Sequence, residues 1–307
     1  MGKIAFVFSG QGAQHTGMGF DLYNNSPIAK TIFEKMETIK PGTMELCFNG
    51  SKEDLAQTKN TQPCLYCVDL VAALSLFDEG IKPDILAGFS LGELAALSFS
   101  GCMSYEDGFR VVCKRGEYMQ DAGDERDSVM MAVLKLDNEI VESLCKKYKE
   151  VYPVNYNYSG QLVVSGSKDE MELFKLDVKE AGGKALPLNV SGAFHSPFMS
   201  SAEIRFKEYL KEVEFKTPQI PVYSNCTAIP YTENVSELLA SQLMKPVLWQ
   251  KSVENMINDG VDTFIEVGVG KTLSGFISKI SQEVAIYNVE DMESLSRTIA
   301  EVRDVKR

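Results

Sequence analysis

Asp84-Ile-Leu-Ala-Gly-Phe-Ser90-Leu-Gly-Glu-Leu-Ala-Ala-Leu-Ser98 is the stretch that decides the fold. The apolar run Asp84–Phe89 predicts a buried strand, and the residues after Ser90 predict a helix that ends at Gly101. The pentapeptide Gly88-Phe-Ser-Leu-Gly92 is therefore a G-x-S-x-G pattern at a strand-to-helix turn. Its glycines permit a turn tight enough to expose the serine hydroxyl, and the helix start presents free N–H groups to an oxyanion. This context favours a nucleophilic serine over the alternative, a glycine-rich turn in which the serine only caps the helix.

A serine nucleophile needs a general base, and histidine is the usual one. The chain has two histidines, His15 and His195. His15 lies in a glycine-rich turn after the first predicted strand, whereas His195 lies in the loop Ser191–Pro197. A lone histidine is more often structural than catalytic, but the scarcity of histidines leaves few choices if Ser90 is a nucleophile. We predict that His195 is the base and that folding brings it to Ser90.

An arginine lies on an apolar helix face. Val112, Arg115 and Met119 are spaced by three and four residues, so they share one side of the helix predicted from Ser104 to about Ala122. A guanidinium in such a place is costly unless an anion meets it. The sequence pattern leaves three alternatives open: an internal acidic partner, a side chain that extends to the solvent-exposed rim, and the carboxylate of a substrate.

The order of predicted elements indicates an α/β fold made of two units. Lys3–Phe8 is a second buried strand that runs into a glycine turn, and helices are predicted over 26–39 and 64–79. The last part of the chain again alternates helix and strand, with strands at Pro221–Asn225 and Thr263–Val267. We therefore expect an α/β-hydrolase-like large domain formed by residues 1–125 and 195–307.

A small α+β unit is predicted between those two parts, over residues 126–194. The polar turn Gly123–Ser128 marks its start. Its elements follow the order strand, helix, strand, strand, helix, strand, which is typical of a ferredoxin-like layer. The predicted segments are 129–136, 139–150, 151–157, 161–166, 168–181 and 184–190.

Composition excludes several classes of protein. The chain has 307 residues, of which 44% are hydrophobic, and its net charge is −12. This charge argues against nucleic acid and against an anionic membrane as partners. The seven cysteines are an odd number without a framework spacing, and the Cys64-x-x-Cys67 pair lies in an apolar helical run. We interpret that pair as core packing, expect no metal site, and predict a cytoplasmic protein.

Eight ordered motifs, spread over nearly the whole chain, resemble the malonyl-CoA:acyl carrier protein transacylase family and the related acyltransferase domains of polyketide synthases. They are Phe8-Ser-Gly-Gln-Gly-Ala-Gln14, Thr61-Gln-Pro63, Gly88-Phe-Ser-Leu-Gly-Glu93, Lys114-Arg-Gly116, Asn155-Tyr-Asn157, Ala193-Phe-His-Ser196, Pro246-Val-Leu-Trp249 and Glu266-Val-Gly268.

The resemblance implies an activity and a set of site residues. Ser90 would form an acyl-enzyme with malonyl-CoA, the substrate, and His195 would take its proton. The backbone N–H groups of Gln11 and Leu91 would form the oxyanion hole, and Arg115 would hold the malonyl carboxylate. The malonyl group would then pass, in ping-pong order, to the phosphopantetheine thiol of acyl carrier protein in fatty acid biosynthesis. No metal or cofactor is implied, and the family leads us to expect a monomer.

Two supporting residues and a docking patch also follow from the resemblance. The backbone carbonyl of Leu248 would orient the histidine, and Asn157 would line the acyl or pantetheine channel. An acidic carrier protein would need a local basic patch, for which the candidates are Lys114, Lys271 and Lys279.

The sequence departs from the family pattern at three places. Phe89 stands where histidine usually precedes the serine, Leu94 replaces a usual tyrosine, and Tyr158-Ser159 replaces a usual Ser-Pro. The change at Phe89 puts acyl selectivity in doubt. Two other functions stay open: a serine hydrolase or thioesterase built on the same turn, and a catalytically silent subunit that binds a carrier protein. The choice between fatty acid and polyketide synthesis also stays open.

Overall fold

The structure, a computed structural model, describes residues 2–190 and 192–305. The strands in these ranges are β1 Lys3–Phe8, β2 Ile85–Gly88, β3 Ser128–Leu134, β4 Val151–Tyr158, β5 Gln161–Ser167, β6 Lys184–Pro187, β7 Val222–Tyr223, β8 Val261–Val267 and β9 Ala285–Val289. The helices are α1 Phe20–Asn25, α2 Pro27–Ile39, α3 Thr43–Asn49, α4 Thr58–Asp78, α5 Gly92–Phe99, α6 Tyr105–Asp124, α7 Asn138–Cys145, α8 Lys168–Glu180, α9 Ser200–Leu210, α10 Val235–Gln242, α11 Trp249–Asn258, α12 Thr272–Ile280 and α13 Met292–Val305. A short 3-10 helix spans Pro197–Met199.

The larger sheet is parallel, with the strand order β7-β2-β1-β8-β9. Alternate residues of β1 enter different cores: Phe6 and Phe8 pack on one face of the sheet, and Ala5 and Val7 pack on the other. Helices cover both faces, which explains why the strands are continuous apolar runs in the sequence.

The smaller sheet is antiparallel, with the strand order β4-β5-β3-β6. Helices α7 and α8 pack on it around a separate core that includes Val133, Val164 and Phe174. The predicted sequence of six elements is confirmed. Four of them are shorter than predicted: β3 and α8 by one residue each, and α7 and β6 by more, since α7 ends at Cys145 and β6 ends at Pro187. The domain boundaries at 126 and 194 stay a prediction.

Two long helices pack against each other beside the large sheet, and one of them, α4, contacts its strand β8. Helix α4 starts at Thr58, before the predicted residue 64, and it is buried along most of its length with Pro63 inside it. Cys64 and Cys67 are buried free thiols, as the core-packing interpretation requires. Helix α6 packs against α4 and is capped by the Ser104 hydroxyl, which accepts the N–H of Asp107 at 3.0 Å.

The turns that follow β1 and β2 lie side by side. The strands are parallel neighbours, so their carboxyl ends meet at one edge of the sheet, where ligand sites of open α/β sheets lie. The N–H of Phe89 donates to the carbonyl of Phe8 at 3.0 Å. Among the described residues, no helix is long and apolar enough to cross a membrane.

Candidate active site

Ser90 lies on a sharp turn between β2 and α5. Its φ of 55° is in the left-handed region, and its side chain is partly exposed. A Cβ on Gly88 would lie 2.0 Å from the carbonyl carbon of Gly92, and a Cβ on Gly92 would lie 2.4 Å from the carbonyl oxygen of Phe8. The two glycines are therefore needed because backbone segments pass where a side chain would start.

His195 meets Ser90 across 105 residues of sequence. Its Nε2 lies 2.8 Å from the Ser90 Oγ, and its Nδ1 lies 2.8 Å from the carbonyl oxygen of Gln242. A carbonyl only accepts, so the proton of the neutral ring is on Nδ1 and Nε2 accepts the serine O–H. The predicted pairing of Ser90 with His195 is present in the structure.

The carbonyl that orients His195 is not the predicted one. Gln242, the last residue of α10, provides it, and the Leu248 carbonyl instead accepts the N–H and the hydroxyl of Ser252 in α11. The expectation for Leu248 is therefore wrong. The carbonyls at the end of a helix lack partners within that helix, which leaves the one at Gln242 free for the imidazole.

Burial keeps the imidazole neutral. It lowers the pKa of His195 to about 4, with the nearby Arg115 charge acting in the same direction and the bond to the Gln242 carbonyl acting against them. At neutral pH the ring is therefore unprotonated and able to accept a proton, as a general base must be.

Arg115 is fully buried and points at the serine. Its Nη2 donates to the Ser90 Oγ at 3.0 Å and to Oε1 of Gln242 at 2.7 Å, and its Nη1 donates to Oε1 of Gln62 at 2.8 Å. Burial lowers its pKa to about 10, while the charge of Glu93 acts in the opposite direction. The group therefore keeps its positive charge at neutral pH, with neutral oxygens as its direct partners.

The predicted oxyanion donors lie in the two adjoining turns. Gln11 follows β1 and Leu91 precedes α5, and within residues 2–190 and 192–305 neither backbone N–H donates to another group. A Cβ on Gly10 would lie 2.8 Å from the carbonyl oxygen of Phe89, which shows how closely the turns approach. Two free N–H groups at this place are suited to an oxyanion.

A cavity of about 640 Å³ opens beside these turns. Its wall combines the turns after β1 and β2, strands of the smaller sheet and helix α12, and it includes Gln11, Phe89, Asn155, Asn157 and Phe276. The side-chain oxygens of Asn155 and Asn157 are buried and have no partner in the described structure, although Nδ2 of Asn157 donates to Gln161 at 2.9 Å. These amides are available to bind a polar ligand.

Phe89 is part of an aromatic cluster. Its ring centre is 5.6 Å from that of Trp249 and 6.2 Å from that of Phe276, and Phe276 is 5.8 Å from Tyr158. Two of the three departures from the family pattern, Phe89 and Tyr158, thus pack against the same ring.

Sequence reasoning missed the polar residues behind the serine. Four buried residues lie there: Gln62, Glu93, Asn225 and Gln242. Asn225 and Gln242 bond to the backbone of Ser90, Gln62 bonds to Arg115, and Glu93 bonds to Gln242. Burial raises the pKa of Glu93 to about 7, against its hydrogen bonds from Tyr231, Gln242 and Asn225 and the charge of Arg115. A signal for Glu93 was present, since it is a single charge in the apolar helix that follows Ser90.

Other candidate groups lie apart from this pair. His15 contacts Glu290 at 2.6 Å and the carbonyl of Thr16 at 3.0 Å, and neither ring nitrogen bonds to Ser90. Lys114, a candidate for the basic patch, pairs with Glu117 at 2.8 Å. Among the residues described, no cluster of His, Cys, Asp or Glu is arranged to hold a metal ion.

Known proteins are similar to this chain in sequence and in fold. The family model of the acyl transferase domain matches residues 5–306. A malonyl CoA-acyl carrier protein transacylase of Bacillus subtilis (strain 168) is 39% identical and covers 99% of this chain and 98% of its own length. One of Staphylococcus aureus (strain MSSA476) is 37% identical over 96% of this chain and 98% of its own.

Solved structures agree with that assignment. The transacylase of Clostridium perfringens superposes with a TM-score of 0.96 at 39% identity, over 99% of this chain and 98% of that one. A malonyl-transacylase solved in complex with a type II polyketide synthase acyl-carrier protein superposes with a TM-score of 0.94 at 32% identity, over 97% of each chain. This chain therefore belongs to the acyl transferase family, in the group of malonyl CoA-acyl carrier protein transacylases.

Proposed function

We propose that this chain transfers the malonyl group of malonyl-CoA to the phosphopantetheine thiol of acyl carrier protein, through a malonyl ester of Ser90. One observation carries the proposal. The Ser90 Oγ contacts both the neutral His195 Nε2, at 2.8 Å, and the Arg115 guanidinium, at 3.0 Å. A base and a cation thus meet at one hydroxyl.

The first half of the reaction loads the enzyme. Ser90 Oγ attacks the thioester carbonyl carbon while its proton moves to Nε2 of His195. The C–S bond then breaks, and the leaving sulfur of CoA takes the proton back from His195. The Nδ1 bond to the Gln242 carbonyl supports the imidazolium that forms between these steps.

The N–H groups of Gln11 and Leu91 stabilise the tetrahedral intermediate in this proposal. They sit on turns whose positions are fixed by the parallel pairing of β1 with β2. Fixed donors need no reorganisation when the negative charge develops, and loss of one such donor costs ~10²–10³ in rate.

Arg115 selects the acyl group in this proposal. Its direct partners, Gln62, Gln242 and Ser90, are neutral, so a carboxylate that displaces one of them forms a stronger, charge-assisted bond. An acetyl group offers no such exchange. The guanidinium therefore favours malonyl over acetyl thioesters.

The second half repeats these steps with a different thiol. The carrier-protein thiol enters the cavity and gives its proton to His195, and its sulfur attacks the ester carbonyl. Ser90 Oγ then leaves and recovers the proton. We assign Asn157 to the wall of this channel, because its buried oxygen has no protein partner in the described structure.

The proposal also covers the fold type, the cellular compartment and the cofactor requirement. The strand–serine–helix turn is α/β-hydrolase-like, and the order of β3 to β6 with α7 and α8 supports a ferredoxin-like small unit. We expect a cytoplasmic monomer in fatty acid synthesis that requires no metal or cofactor. The seven cysteines, all free thiols, support a reducing compartment.

The test is transfer to a carrier protein. Purified enzyme is mixed with malonyl-CoA and holo acyl carrier protein, and the carrier mass is followed, with apo carrier as the control for the phosphopantetheine thiol. We expect malonylated holo carrier and unchanged apo carrier. Release of free malonate in place of carrier loading would support the hydrolase alternative, and no turnover would support the silent subunit. A fatty acid carrier and a polyketide carrier, compared in parallel, distinguish the two pathways.

A further inference from the structure

Glu93 is a buried carboxylate directly behind the nucleophile. It lies in the first turn of α5, three residues after Ser90, and its side chain is fully buried. Its Oε1 accepts the O–H of Tyr231, and its Oε2 accepts the backbone N–H of Asn225 and the amide Nε2 of Gln242, each at 2.9 Å. The carboxylate thus accepts hydrogen bonds from three donors, and neither Ser90 Oγ nor His195 is among them.

Gln242 connects this carboxylate to the three residues Ser90, His195 and Arg115. Its Nε2 also donates to the Ser90 carbonyl at 2.9 Å, its Oε1 accepts from Arg115, and its backbone carbonyl bonds to His195. The two ends of a primary amide differ, because one only donates and the other only accepts. Oε2 of Glu93 accepts the NH₂ end of Gln242, and the amide oxygen is thereby left to accept from Arg115.

Asn225 forms a second connection. Its backbone N–H is bound by Glu93, its Oδ1 accepts the N–H of Ser90 at 2.7 Å, and its Nδ2 donates to the Gly88 carbonyl at 2.6 Å. These bonds clamp both sides of the turn at Ser90. The left-handed backbone of Ser90 persists only where its surroundings enforce it, and Asn225 is such a restraint.

We infer that Glu93 is a positioning residue for acyl transfer: it fixes the amide of Gln242 and the backbone of Asn225, and through them the Ser90 turn, the His195 ring and the Arg115 guanidinium. The inference rests on the proposed function for the reaction that Glu93 supports, whereas the positioning role itself is argued from hydrogen-bond geometry. Glu93 supplies an acceptor oxygen at a fixed distance from Asn225 and Gln242, and the position of this oxygen matters more for the reaction than the negative charge.

Two substitutions separate distance from charge. Glu93→Gln removes the charge but keeps an oxygen for Asn225 and Gln242, because its NH₂ group can face the Tyr231 hydroxyl, which also accepts. Glu93→Asp keeps the charge but withdraws the carboxylate by one methylene from both partners. The matched control is Glu142→Gln, which alters another tyrosine–glutamate pair, Tyr156 with Glu142, in the small unit.

The readout is the single-turnover rate of malonyl-enzyme formation by intact mass, together with inactivation by phenylmethylsulfonyl fluoride. The sulfonyl fluoride reports on the Ser90–His195 pair without requiring a carboxylate. All variants are compared well below their melting temperatures, so that lost stability does not enter the rates. We expect Glu93→Asp to slow both reactions by ~10²-fold, as a misplacement of about 1 Å does. We expect the rates of Glu93→Gln to stay within about tenfold of the wild-type rates, and the rates of Glu142→Gln to equal those of the wild type.

The opposite order, a fast Asp variant with a slow Gln variant, would assign the effect to charge and overturn the inference. Equal rates in both variants would overturn it as well. If Glu93→Asp does not fold, the variants Tyr231→Phe and Glu93→Gln are compared with the wild type instead. The inference expects the rates of both variants to stay within about tenfold of the wild-type rate, because each variant keeps the oxygen that accepts from Gln242. A larger loss of rate in both variants would overturn the inference. A wild-type enzyme that reacts with the sulfonyl fluoride but not with malonyl-CoA would refute the proposed function alone, and the comparison of variants would still test Glu93.

Discussion

Ser90 and His195, whose side chains meet at 2.8 Å, both have left-handed backbones, with φ of 55° and 61°. Such a conformation costs a residue other than glycine about 1–3 kcal/mol. The surrounding fold supplies the restraint: Asn225 binds the N–H of Ser90, and the carbonyl of Gln242 holds the ring of His195. The pair is therefore held in place by buried amides.

The turn itself can be tested through its glycines. Gly92→Ala places a methyl group 2.4 Å from the Phe8 carbonyl, so we expect the free energy of unfolding to fall by more than about 2 kcal/mol, measured by urea denaturation. Gly275→Ala is the matched control, because its Cβ meets no atom within 4 Å in α12. That variant should be more stable by about 0.5–1 kcal/mol. Equal effects of the two substitutions would contradict the close approach of the turns.

The pH dependence of acylation follows from the lowered pKa of His195. Burial keeps the imidazole neutral down to about pH 4, so the rate of Ser90 acylation should fall on an acidic limb near pH 4 and not near 6.5. Measurement in Glu93→Gln as well as in the wild type removes any contribution of Glu93, whose pKa burial raises to about 7. A limb near 6.5 in both proteins would show that the base is solvated.

Stability should follow the same group. The folded pKa of His195 lies below its unfolded value, so the neutral ring contributes stability that is fully present above pH 6.5 and is lost as the pH falls towards 4. The melting temperature of the wild type relative to His195→Gln should therefore decrease over that window. A constant difference across it would contradict the burial of the ring.

Acyl selectivity should depend on the buried guanidinium. Arg115→Met should lower kcat/KM for malonyl-CoA by ~10²-fold, the equivalent of one charged hydrogen bond, and should affect acetyl-CoA less. Arg110→Met is the control, since Arg110 lies on the same helix but pairs on the surface with Asp107. Equal losses of kcat/KM for the two thioesters would show that Arg115 supports Ser90 without binding the malonyl carboxylate.

Much of this site could be predicted from the sequence, for identifiable reasons. The Ser90 turn was predictable because its glycines and its apolar strand are local signals. The pairing with His195 was predictable because the chain has only two histidines. The burial of Arg115 followed from its place between Val112 and Met119 on one helix face, and the small unit followed from its order of strands and helices.

The rest could not be predicted, because it depends on tertiary contacts. Every residue has a backbone carbonyl, so no side-chain pattern distinguishes Leu248 from Gln242 as the partner of His195. The side chains of Asn225 and Gln242 lie in segments that approach Ser90 only after folding, 135 and 152 residues away along the chain. Their roles depend on which end of an amide faces which partner, and composition and spacing do not encode that.

The central claim, a malonyl ester on Ser90, is tested most directly by intact-protein mass after brief exposure to malonyl-CoA or acetyl-CoA, with Ser90→Ala as the control. The account predicts one malonyl adduct on the wild type, mapped to Ser90 by peptide analysis, with none from acetyl-CoA and none on the variant. A malonyl adduct that persists on Ser90→Ala, or no adduct on a folded wild type, would contradict it.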